Sequence, residues 1–306
     1  MNEKGCLYIC MSMKHVKLLL LVLLFPFQNL FAGNIDSLII DNIKRFVFKE
    51  IGVELEGNFY TEMKSSDDPY YYLYVSMSDR IAVPWEFLKA YQYCESKEAA
   101  YQKAYDNANK GYVTFVYYGR ANSGTELTKT LLSYRKESLC FTIFHELMHN
   151  YKKQMNLDIP YDFEEALCDV VGNYGAMKYA KEMQITDFNI TKKQTKLNED
   201  IYECMNYYIS KINKEHKHIP ELNLKCGKEV KKLLLKGDSF QKDRFDFEVN
   251  NAYLLKNSYY CKNYFLLKKV FLKQKSIRDF LELIKTMPDN SIDCIKYLEA
   301  SLAKKG

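Results

Sequence analysis

Apolar residues in the first part of the chain recur with the spacing of a helix face. Ile35, Leu38, Ile39, Ile43, Phe46 and Val47 fall mostly three or four positions apart, which predicts a helix over 35–51. Gly52 and Gly57 follow as its end. Residues 58–63 and 70–77 read as strands, separated by the turn-forming run Ser65-Ser66-Asp67-Asp68-Pro69. Residues 95–109 are rich in Ala, Lys, Gln and Glu and read as a helix that stops at Gly111. Tyr112 to Tyr118 is an unbroken run of β-branched and aromatic residues, the clearest strand in the chain. A small polar loop occupies 119–125. Two helices then run over 137–153 and 162–182, the second after Pro160 with Asp162 as its expected cap. Beyond 190 the pattern is helical, over 195–213, 225–236, 247–273, 276–286 and 290–303. Strands first and helices afterwards predict an α+β fold. Its expected parts are a small mixed sheet region, a central pair of helices and a mainly helical C-terminal half. No internal repeat appears.

Composition narrows the class. The 306 residues are 47% hydrophobic and 27% charged, with only 6 Pro and 12 Gly, which fits a folded chain rather than a disordered one. The net charge of +5 is small and scattered, so nucleic acid is not an expected partner. Lys14, His15 and Lys17 precede an apolar run from Leu18 to Phe27, followed by Asn29-Leu30-Phe31-Ala32. That order is the pattern of an export signal over 1–32, with Ala32 as the residue before cleavage. The run is short for a membrane span, so a membrane association is expected only if the segment stays as an anchor. The remainder then divides into a catalytic region over 33–190 and a helical region over 191–306. Seven Cys follow the signal, widely spaced and without a Cys-x-x-Cys pair, so a cysteine-based zinc site is not expected.

The chemistry concentrates at Phe144-His145-Glu146-Leu147-Met148-His149. On a helix, His145 and His149 lie one turn apart on one face and can reach one metal ion. Glu146, next to the first ligand, is placed to take a proton from a water activated by that metal. The surrounding Leu139, Phe141, Ile143, Phe144 and Leu147 are apolar. Burying two histidines and a carboxylate there without a partner is costly, which favours a metal site over an ordinary helix. A catalytic zinc needs a third protein ligand and an open fourth position. In the next helix Glu165 and Asp169 are four apart and share a face.

This arrangement resembles the thermolysin-like gluzincins, with a Glu-x-x-x-Asp pair following His-Glu-x-x-His. The resemblance implies that Glu165 is the third zinc ligand and that Asp169 receives a hydrogen bond from His145. Glu164 stands where such enzymes often carry Asn. It reads either as a first-turn acid favoured by the helix dipole or as a group that holds His149. A longer stretch, roughly 70–182, is similar to a family of predicted bacterial zinc aminopeptidases. The matching segments are Lys110-Gly111-Tyr112-Val113, Ile143 to His149, and Phe163-Glu164-Glu165-Ala166-Leu167 with Gly172. Ala121-Asn122-Ser123-Gly124 departs from that family's loop.

The expectation is therefore an exported zinc metallopeptidase acting on peptides or proteins, with aminopeptidase action implied by the resemblance. Glu146 is the catalytic base, His145, His149 and Glu165 the metal ligands, and Asp169 their outer support. The alternative is an exported binding or scaffold protein with a vestigial or structural zinc site. Residues 112–118 are a candidate edge for an extended peptide. His216 and His218, in a charged run, read as a solvated loop, and no residue is singled out to stabilise an oxyanion.

Overall fold

The computed structural model describes residues 39–54, 70–119, 129–236 and 248–303. The expected strand over 58–63, the loop around 121–124 and the export signal lie outside them. Among the described residues no helix is long and apolar enough to cross a membrane. The chain forms two compact units, 1–42 and 43–306. In the first, residues 39–42 are helical. In the second, helix α1 (residues 43–51) is followed by strands β1 (Tyr70–Ser76) and β2 (Tyr91–Cys94), helix α2 (Lys97–Asn109) and strand β3 (Val113–Gly119). The helices α3 (Lys129–Leu132), α4 (Lys136–Gln154), α5 (Tyr161–Met183), α6 (Phe188–Glu215), α7 (Ile219–Lys236), α8 (Asn251–Cys261), α9 (Tyr264–Leu272), α10 (Ile277–Lys285) and α11 (Ser291–Ala303) complete it. The fold is α+β.

The sheet has the order β2-β1-β3 with both pairings antiparallel. Successive side chains of a strand point to opposite faces, and β1 shows how both faces become buried. Leu73 and Val75 pack with Ala100 of α2, whereas Tyr74 joins a core with Ile201, Met205, Leu222 and Leu254 from α6, α7 and α8. Residues on either side of position 190 thus share one core. Strand β2 is too short for its alternation to stand out in the sequence.

Helix α5 is the centre of the helical layer, packed against α4, α6, α8 and α9. Its buried residues include Phe163, Ala166, Val170, Val171 and Ala176, which surround the axis rather than forming one stripe, as a central helix requires. It begins at Tyr161 with Pro160 before it, and Asp162 is not its cap. Asp162 sits in the first turn, where its carboxylate takes Lys262 (3.2 Å) and Ser291 as partners. The run expected as one helix over 247–273 is two, with one side chain taking a backbone carbonyl at the break and another tying the break to α5. Asn206 donates to the Cys261 carbonyl at 2.6 Å and Asn263 donates to the Asp162 carbonyl at 2.7 Å. Helix α6 starts before its expected residue 195, since Asp187 accepts from the Asn189 and Ile190 amides and caps it. The seven described cysteines are all free thiols, and Cys204 alone of them is not buried.

Candidate metal centre

Two glycines on α5 decide how closely α4 can approach. A Cβ on Gly172 would lie 2.9 Å from the Phe141 ring, and one on Gly175 would lie 2.6 Å from the Phe144 ring. At either position a Cβ forces a shift, least easily at Gly175, where the Phe144 ring is buried, so glycine lets the two helices meet there. Glu165, Asp169 and Gly172 lie on one side of α5 at spacings of four and three. The same approach therefore carries both carboxylates to the histidines of α4.

Three atoms converge. His145 Nε2 and His149 Nε2 face each other at 3.3 Å. Glu165 Oε2 is 3.4 Å from the first and 3.7 Å from the second. This oxygen is buried and has no hydrogen-bond partner, a costly state for a carboxylate unless something else binds it. Ligands at about 2.0–2.2 Å around a tetrahedral zinc lie about 3.4 Å from each other, so the triangle fits a metal ion. The outward nitrogens are already engaged. His145 Nδ1 is 2.7 Å from Asp169 Oδ1, and His149 Nδ1 is 3.0 Å from Glu164 Oε1. Each Nδ1 faces a carboxylate, which turns Nε2 towards Glu165 and leaves it for a metal once its proton is displaced. Glu164 thus holds His149, and its other oxygen is bound to Lys152 at 2.5 Å. Tyr202 of α6 donates to the second oxygen of Asp169.

A second donor set overlaps the first. His145, His149 and Cys168 offer atoms within 4.8 Å of one another and can hold a metal ion. The Cys168 sulfur, however, lies 3.6 Å from His149 Nδ1, the nitrogen that Glu164 occupies. The Glu165 oxygen instead faces the two nitrogens that remain open.

Electrostatics follow from burial and charge. Burial lowers the pKa of His145 and of His149, but it is outweighed. Asp169 and Glu165 hold His145 well above the ordinary imidazole value of 6.5. Cys168, Glu164 and Glu165 do the same for His149. Glu165 is held well below the usual carboxylate range, because the two imidazoles overcome its burial. Glu146, buried on α4, is raised by desolvation, against the two histidines that lower it. Glu146 is thereby kept as a more basic carboxylate than a solvated one.

The C-terminal helices complete the surroundings. The Tyr260 ring of α8 stacks on His145, with centroids 6.2 Å apart and planes 18° apart. The Lys256 ammonium, one turn earlier, lies 4.8 Å from the Tyr260 centroid and 4.3 Å from that of Tyr117 on β3. Of these, only Lys256 leaves a signal in the sequence: it is a charge directly after Ala252-Tyr253-Leu254-Leu255, inside an apolar helical run. Tyr202 and Tyr260 are two among 26 Tyr, and only the tertiary fold distinguishes them. His216 and His218 are exposed, and His216 contacts the Asp79 carbonyl at 3.1 Å, so neither joins the site. A cavity of about 330 Å³ lined by Tyr174, Phe188, Phe271 and Ile277 contains none of the site residues. No family model, curated protein or solved structure matches this chain.

Proposed function

We propose that the chain is an exported zinc-dependent metallopeptidase of the gluzincin type. His145, His149 and Glu165 hold the zinc, Glu146 is the general base, and Asp169 and Glu164 orient the histidines. The supporting observation is the triangle of two Nε2 atoms and one buried carboxylate oxygen that makes no hydrogen bond, at separations of 3.3, 3.4 and 3.7 Å. Zinc held there supplies Lewis-acid polarisation of a carbonyl and lowers the pKa of a water towards about 7. Glu146 takes a proton from the attacking water on its carboxylate and delivers it to the leaving amine nitrogen. Asp169, anchored in turn by Tyr202, keeps the proton of His145 on Nδ1. Strand β3 supports a peptide substrate, because it pairs with β1 on one side and with no strand on the other among the described residues. Burial, and then Tyr134, Glu146 and Glu165, raise the pKa of Tyr117, in keeping with a strand that runs beside the carboxylates.

The test is cleavage of matched peptides, with free and acetylated N-termini, by the zinc-loaded chain and by Glu146→Gln. Cleavage lost in Glu146→Gln, with zinc content unchanged, supports the reading. Aminopeptidase action, the form the resemblance implies, requires that acetylated peptides survive.

The overlapping donor set favours one second reading, a binding or scaffold protein with a closed metal site that includes Cys168. In that case Cys168→Ala loses metal while Glu165→Ala keeps it. The metallopeptidase reading expects the reverse.

A further inference from the structure

Lys256 is 9% exposed, and among the described residues its ammonium has no carboxylate or hydrogen-bonding partner. Its recorded neighbours are the faces of two tyrosine rings. Such faces attract a cation, but they do not neutralise it, and an uncompensated buried charge is costly. The side chain is also held in place. Tyr117 stacks on Tyr72 with centroids 6.4 Å apart, and Tyr260 stacks on His145. The lysine is therefore held in place, one ring away from a candidate metal ligand and over the Tyr117 ring of β3. Burial pushes its pKa down to about 8, with Glu165 and Asp169 opposing the shift.

We infer that Lys256 is a specificity residue that binds a carboxylate of the peptide substrate close to the scissile bond. This rests on the metallopeptidase reading and adds the substrate class to it. A substrate carboxylate brought up to the Tyr117 and Tyr260 rings meets a cation with no carboxylate in contact with it among the described residues, and a charge-assisted hydrogen bond forms in a site of low polarity. A neutral group at that place leaves the ammonium without a partner, which is how a buried polar group rejects the wrong substrate. The carboxylate has two sources, the C-terminus of a peptide or an Asp or Glu side chain next to the cleaved bond.

The test measures binding apart from turnover. Zinc-loaded Glu146→Gln is titrated calorimetrically with paired peptides: one with a C-terminal acid against its amide, and one with Glu against Gln beside the scissile position. The expected result is that the acidic member of one pair binds at least about tenfold more tightly, and that pair identifies the source. Adding Lys256→Met abolishes the preference with zinc content unchanged, whereas Lys256→Arg keeps most of it. Equal affinity within both pairs, or binding of no peptide, overturns the proposal. So does a Lys256→Met chain that loses zinc or weakens both members alike, since the lysine then only balances the charge of the carboxylates. Cleavage by the parent chain is scored separately, so a failure of the hydrolase reading is seen independently of this one.

Discussion

The orientation of His145 depends on Asp169. Its Oδ1 fixes the imidazole and its Oδ2 is held by Tyr202. Replacement of such outer carboxylates typically costs 10–100-fold in metal affinity. Asp169→Asn is therefore expected to weaken zinc binding by about that factor, read by competition with a chromophoric chelator, and an unchanged affinity contradicts the role given to it. Proton linkage supplies a second expectation. In the metal-free chain His145 and His149 keep their protons to a higher pH than free imidazole, because neighbouring acidic groups outweigh burial. Zinc has to displace those protons, so its affinity rises as pH rises through neutrality and falls on acidification. The same competition run at about pH 6 and about pH 8 is expected to show at least about tenfold weaker binding at the lower pH. His145, Glu146 and His149 were legible as one motif because four-residue spacing fixes their geometry locally. Tyr202 and Tyr260 were not, because α6 and α8 bring them in from far along the chain, and Lys256 showed only as a charge after an apolar run, with no sign of what it faces.

At the scale of elements, the distance between α4 and α5 matters most. The Phe144 ring is 1% exposed and cannot swing aside from a new methyl group on Gly175. Gly175→Ala is expected to destabilise the chain by about 1–3 kcal/mol in denaturant unfolding. It also loosens zinc, since the helices that carry the ligands must separate. Gly172→Ala meets the more accessible Phe141 and is expected to be milder. Helices α4 and α5 could be read from apolar periodicity and from Pro160. The start of α6 was hidden by its polar first turns, and the α8–α9 break by side-chain hydrogen bonds that no local pattern announces. Strand β3 declared itself through composition, but its place at an edge of the described sheet depends on pairing.

For the whole molecule, the sharing of core between the sheet and α6–α8 decides what can be cut away. Tyr74 and Ile81 pack with Ile201, Leu222 and Leu254. A chain ending near residue 190 leaves that face bare, and it is expected to lack a cooperative thermal transition. A soluble, cooperatively melting fragment with bound zinc contradicts this. The place of Glu165 on α5 has a further consequence, because among the described residues that helix packs against α4, α6, α8 and α9. Metal loading is then tied to global opening rather than to a local flap. Zinc present at a thousandfold excess over its Kd adds about 4 kcal/mol to the folded state. A copy that has not acquired its metal opens more often, and the open form is what a passing protease cuts. On the proposed metal-site reading, limited proteolysis with and without a chelator is expected to digest the bare chain first, and metal supply then sets how long each copy survives.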